Sequence, residues 1–270
     1  MRRPSVVGKH VSAAVLMFLV LAATPGTIHG ATTVAPPTFP VRSPGKWAIV
    51  LCQFSGRTAT GHWFVNPHKP ATLKQYEDFF GTSTAFGHGV AQWFHDVSRG
   101  RATMAGSTVF DWRVIGRTSN DLTGLSRSDK VVACAHASDP KRDYTKYEGI
   151  YAIFNGPVTR WDTSSPPQRV GDTGVGGVAT VINGRKGRWK TVVDGNTGNG
   201  VPSTYFAGHE ILHSLGFGHS FNTDSTSCQD WGLGGEYCDP WDIMSDTTGT
   251  SALTLEQAGW LAPGQEVNAA

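Results

Sequence analysis

The sequence predicts an α/β fold: a mixed, twisted sheet with packed helices, then a small irregular C-terminal subdomain. Three observations predict it. Short β-branched and aromatic runs of strand length alternate with segments whose apolar residues recur at helical spacing. A helical pattern late in the chain stops at Gly216, and only short segments follow it. The length of 270 residues allows one large domain or two small ones.

Taken in order, the chain opens with Arg2, Arg3 and Lys9, then the apolar core Val11–Ala23, then Thr24, Pro25 and Gly26. That is the layout of a secretory signal peptide, assigned to residues 1–30. Cleavage after Ala23, Gly30 or Ala31 remains open. The apolar core has 13 residues, short of the about 20 that a membrane span needs. An uncleaved anchor is the rival reading. No second run of spanning length follows, so the expected mature protein is secreted, extracellular and without a membrane span. Residues 31–45 are rich in Pro and Thr and read as an extended linker.

Residues 46–270 then form the expected domain, divided into subdomains 46–216 and 217–270. Lys46–Phe54 (KWAIVLCQF) predicts a buried strand. Leu73–Phe80 predicts a short helix. Over Gly87–Arg101 the apolar residues Val90, Trp93, Phe94 and Val97 step by helical intervals, which predicts an amphipathic helix. Thr108–Ile115 alternates like a half-buried strand. Asp129–Ala137 predicts a helix, Ile150–Phe154 a central strand, and Gly156–Asp172 a Pro-rich loop. Gly176–Ile182 and Trp189–Val193 are strand candidates. Leu253–Leu261 predicts a closing helix.

Charge and cysteine content narrow the function classes. Lys and Arg number 23 against 21 Asp and Glu, a formal charge of +2. With no long basic run, nothing points to nucleic acid. Four cysteines in an exported chain predict two disulfides, with three pairings possible. Cys228 and Cys238 lie close in sequence, which favours Cys228–Cys238 and leaves Cys52–Cys134. No CxxC spacing supports a thiolate metal site.

The chemistry concentrates in Gly208–Ser220, GHEILHSLGFGHS. His209 and His213 lie four residues apart, so a helix places them on one face. Two imidazoles so placed can hold one zinc ion. Glu210, beside the first ligand, can reach a water on the metal without ligating it. Gly216 permits the sharp turn that brings His219 back as a third ligand. Three protein ligands leave a fourth position open, as in a catalytic zinc site. The competing reading is a helix with solvated histidines or a degenerate site. Other histidines (His62, His68, His88, His95) lack motif partners and read as solvated or satisfied side chains. Asp194–Gly200 offers oxygens from Asp194, Asn196 and Asn199 to a calcium ion. It lacks the full calcium-loop pattern, and a glycine turn is the simpler reading. Ser203 and Thr204 are candidate caps for the zinc-motif helix.

These residues resemble the metzincin zinc metallopeptidases, which share HExxHxxGxxH followed by a methionine turn. The candidate turn is Asp242-Ile243-Met244-Ser245, and the resemblance implies that Met244 floors the histidine site. Val90–Trp112 is similar to the corresponding part of gametolysin-like and immune-inhibitor-like secreted metallopeptidases. Some metzincins carry a tyrosine two residues after the turn methionine. Asp246 stands there, which excludes a tyrosine ligand from that position. The resemblance implies a monomeric, secreted endopeptidase with one catalytic Zn2+. Its polypeptide substrate would lie extended along an edge strand, Gly176–Ile182 or Trp189–Val193. Glu210 would be the general base that takes a proton from the zinc-activated water. Two rivals remain: a carbohydrate- or protein-binding module with a vestigial zinc site, and a zinc hydrolase of a non-peptide bond.

Overall fold

Alternation along the central strands sets the architecture. In β1 (Trp47–Gln53), Trp47, Ile49 and Leu51 face one core, and Ala48, Val50 and Cys52 face a second. β3 (Gly149–Phe154) repeats this, with Tyr151 and Ile153 on the first side and Ile150, Ala152 and Phe154 on the other. A strand buried on both faces reads as a continuous apolar run and belongs inside a parallel sheet. The computed structural model describes residues 39–55, 72–82, 89–156, 158, 174–195, 204–220, 239, 241–245 and 249–262. The described residues all belong to one compact unit, Pro37–Ala270.

The sheet has five strands in the order β2-β1-β3-β5-β4, with β2 at Thr108–Val114, β4 at Gly174–Ile182 and β5 at Arg185–Asp194. β2, β1, β3 and β5 are mutually parallel, and β4 returns antiparallel along β5. The fold is therefore mixed α/β, as the patterning predicts. Of the two edge-strand candidates, only β4 lies at an edge. The segment Trp189–Val193 belongs to β5, which is paired on both sides. Pairing of Trp47 with Gly149 requires the glycine: a Cβ there would stand 2.7 Å from the Trp47 ring.

Six helices occur among the described residues. α1 (Leu73–Phe80), α2 (Val90–Val97), α5 (Thr204–Ser214) and α6 (Ala252–Gln257) surround the first core, while α4 (Arg127–Ser138) covers the second. Each fully buried aliphatic or aromatic side chain in these cores contributes about 1.5–3 kcal/mol. α2 is shorter than the pattern over Gly87–Arg101 predicts. Arg99 and Gly100 take positive φ and end it. α4 starts at Arg127, because Ser126 caps it through the Asp129 amide. α6 stops at Gln257, ahead of Gly259 at φ +68°. The single-turn helix α3 (Ser119–Leu122), with a Thr118–Asp121 capping box, carries no periodicity long enough to predict.

Cys52 and Cys134 form a disulfide that joins β1 to α4. Cys228, Cys238, the signal-peptide segment, His62, His68, His88, Asn196, Asn199, Ser203 and Asp246 lie outside the described residues. Among the described residues no helix is long and apolar enough to cross a membrane. Residues 39–45, read as linker, lie against the domain. The Arg42 amide donates to the Ala258 carbonyl (2.9 Å), and the Gly45 amide donates to Thr103 (3.1 Å). Phe217, Ile243, Met244, Ala258 and Trp260 share the first core with α1, α2 and α5, so residues on both sides of Gly216 pack together.

Candidate metal centre

α5 carries the first half of the site. Ala207, Ile211 and Leu212 are fully buried in the first core, which turns the opposite face, with His209 and His213, toward the site. The helix ends in a Schellman arrangement. The Phe217 amide donates to the Leu212 carbonyl (3.3 Å), and the Gly216 amide donates to His213 (2.9 Å). Gly216 sits at φ +91°, where a side chain would be strained. This turn reverses the chain and returns His219 to the helix face.

The three imidazoles converge. One ring nitrogen from each of His209, His213 and His219 lies within 4.8 Å of the others, and His213 Nε2 stands 2.9 Å from His219 Nε2. Two of the rings have their far nitrogens fixed by carbonyls. His209 Nδ1 lies 2.6 Å from the Ile243 oxygen, and His213 Nδ1 lies 2.8 Å from the Phe217 oxygen. A carbonyl only accepts, so Nδ1 carries the proton on both rings, and Nε2 presents its lone pair inward.

Electrostatics reinforce that state. Burial pushes the His209 pKa down to about 4, helped by His213 and His219 and opposed by the Ile243 hydrogen bond. Burial also lowers His213, with Phe217 opposing and His219 and Arg127 contributing. Neutral rings are the form that ligates a cation. A metal ligated tetrahedrally at about 2.0–2.1 Å would need the nitrogens about 3.3 Å apart. The closest pair stands a few tenths of an ångström inside that spacing, and the three nitrogens together could hold a metal ion.

The turn at Asp242–Ser245 closes the site from the other side. The Ser245 amide donates to the Asp242 carbonyl (2.9 Å). Met244 is buried in the first core with α5. Its carbonyl accepts from the Ser220 amide at 2.9 Å, next to His219, and the Ile243 carbonyl holds His209. The turn therefore fixes two of the three histidines.

The chain matches no protein-family model and no curated protein. The site therefore rests on its own geometry.

Glu210 is buried beside His209, with 7% of its surface exposed. Desolvation raises its pKa to about 7, while the Arg127 charge and the Val175 N–H, which donates to the carboxylate, pull it down. Val175 belongs to β4, so the sheet edge passes directly beside this carboxyl. Arg127 has no signal in the sequence. It is the first residue of α4, and its guanidinium lies against Gly174, where a Cβ would stand 2.4 Å from Nη1. Below the site, the Tyr151 hydroxyl donates to the buried Asp194 carboxylate at 3.4 Å. Burial, Asp194 and Glu210 all push that phenol well above its usual range. Asp194, proposed for calcium, is thus turned into the core. His95 is exposed on α2, with Nδ1 3.2 Å from the Asp96 carboxylate, and takes no part.

Proposed function

We propose that the chain is a secreted zinc-dependent endopeptidase of metzincin type. One observation carries the reading: three inward-facing imidazoles converge beside a buried carboxyl that the same helix supplies. His209, His213 and His219 would hold the ion. Zinc bound there supplies a Lewis acid that polarises the scissile carbonyl and acidifies the attacking water.

Glu210 accepts the proton of the attacking water and delivers it to the leaving amine. A carboxyl poised near neutral pKa suits both halves of that transfer. The Val175 N–H orients its carboxylate. Met244 floors the histidines with an apolar surface. The substrate runs extended along the outer edge of β4, where it adds a strand to the sheet. The buried Cys52–Cys134 disulfide agrees with an oxidising, extracellular compartment.

The test combines metal analysis with mapping of cut sites in a denatured proteome digest, with and without chelator. Stoichiometric zinc and chelator-sensitive new amino termini are expected. Glu210→Ala is expected to keep its zinc and lose at least about 100-fold in turnover. Retained turnover in that variant removes Glu210 from the chemistry. Zinc without new amino termini points instead to a binding module or to hydrolysis of another bond.

A further inference from the structure

The turn that carries the third histidine leans on a residue from the far end of the domain. Arg42 precedes β1 and lies 173 positions from Leu215, yet its Nη1 donates to the Leu215 carbonyl at 3.1 Å. Leu215 is the last residue before Gly216, and its carbonyl is one that the end of α5 leaves unpaired. The same guanidinium stacks on the Phe217 ring, with Cζ 4.9 Å from the centroid. Arg42 Nη1 is also the one atom that a Cβ at Gly216 would meet, at 3.7 Å. Arg42 thus contacts the residues on both sides of Gly216 and lies over the glycine between them.

Those residues hold the site. The Phe217 carbonyl fixes the His213 ring at 2.8 Å, and the chain leaving Phe217 reaches His219 two residues later. Arg42 is itself anchored by its backbone. Its amide donates to Ala258 at 2.9 Å, and its carbonyl accepts from Trp260 Nε1 at 2.8 Å. The guanidinium is therefore delivered by a fixed stretch of chain.

We infer that Arg42 is a positioning residue for the metal site, acting through Phe217 on His213 and through the Gly216 turn on His219. The inference rests on the metal-binding reading above. Losing a group that orients a ligand weakens metal affinity by about 10–100-fold in general. An effect transmitted through one further residue belongs at the lower end, about 10-fold.

The experiment titrates zinc into the full chain against a chromophoric chelator, comparing the unaltered protein with Arg42→Ala, Arg42→Lys and Trp260→Phe. Trp260→Phe removes one hydrogen bond to the same stretch but leaves both the guanidinium and the Arg42 amide bond to Ala258 that holds it in place, so it controls for general loosening. Arg42→Ala is expected to bind zinc about 10-fold more weakly. It should also lose exchange protection of the His213 Nδ1–H proton in the metal-free protein. Trp260→Phe should lower the melting temperature with zinc affinity within about twofold. Arg42→Lys keeps the charge without the planar fork and should fall between. If Arg42→Ala does not fold, Arg42→Lys decides on the same titration.

Zinc affinity unchanged on loss of the guanidinium overturns the inference alone. So does an equal loss in Trp260→Phe, which would mean that affinity follows stability. Failure of the unaltered protein to take up zinc would overturn the metal reading and this inference together.

Discussion

Glu210 and His209 are adjacent in sequence and are both held in the uncharged form by burial in the metal-free protein. Their effects on stability oppose each other. Glu210 titrates near 7 when folded and near 4.5 in its ordinary state. Between those values the folded protein holds a proton that the unfolded chain lacks, so stability falls as pH rises. His209 titrates near 4 when folded against 6.5 ordinarily. Between those values the unfolded chain holds the additional proton, so stability falls as pH drops. From about pH 4.5 to 6.5 the two contributions cancel. Glu210→Gln removes one of them. In chelator, this variant should lose more stability than the unaltered protein as pH falls from about 6.5 toward 4, by up to about 3 kcal/mol, while His213, also lowered by burial, adds the same fall to both. Denaturant unfolding across that range measures it. Parallel curves for the two proteins would show that Glu210 is not held protonated, and a level curve for Glu210→Gln would show that His209 is not held neutral.

At the scale of elements, the link between the Asp242–Ser245 turn and α6 governs the back of the site. The Asp242 carboxylate is buried and accepts from the Met244 amide (2.9 Å), the Thr254 hydroxyl (2.5 Å) and the Ser251 hydroxyl. Ser251 is also the N-cap of α6. Removing such a carboxylate leaves several buried donors without an acceptor, at about 1–3 kcal/mol each before relaxation. Asp242→Ala should therefore lower unfolding free energy by about 3 kcal/mol and weaken zinc binding through Ile243 and Met244. Denaturant unfolding and a zinc titration measure the two effects. A stability loss with unaltered zinc affinity would detach the turn from the histidines. The sequence shows part of this element clearly and part not at all. Spacing alone groups His209, Glu210, His213 and His219, because a helix and one glycine turn fix them locally. β1 and β3 are legible because burial on both faces leaves an unbroken apolar run. Arg127, Arg42 and the Ile243 carbonyl are not legible. Each reaches the site across 34 or more residues by tertiary apposition, and no local pattern encodes that. The end of α6 is hidden for the same reason: Gly259 and the Arg42 amide stop it, and only one of them is nearby in sequence.

At the scale of the whole molecule, the sheet separates a face that holds the histidines from a face that holds the disulfide. Ala207, Ile211, Leu212 and Met244 belong to the first core, and Cys52 and Cys134 belong to the second. The bridge closes 82 residues, and a loop of that length restricts the unfolded chain by about 4.5 kcal/mol in the chain-entropy model. It also clamps α4, which carries Arg127, onto β1. Replacing both cysteines by alanine should lower unfolding free energy by about 4 kcal/mol. Zinc affinity, measured well below the melting temperature, should stay within about twofold, because no ligand and no carbonyl that holds one lies on that face. The expectation separates two ways in which the sheet can work. If it is a rigid partition, stability falls and affinity does not. If α4 shifts once the clamp is gone, Arg127 withdraws from Gly174, the edge of β4 moves with it, and the Val175 contact to Glu210 lengthens. Turnover would then drop while zinc stayed bound, so measuring both quantities on one variant tells a partition from a lever.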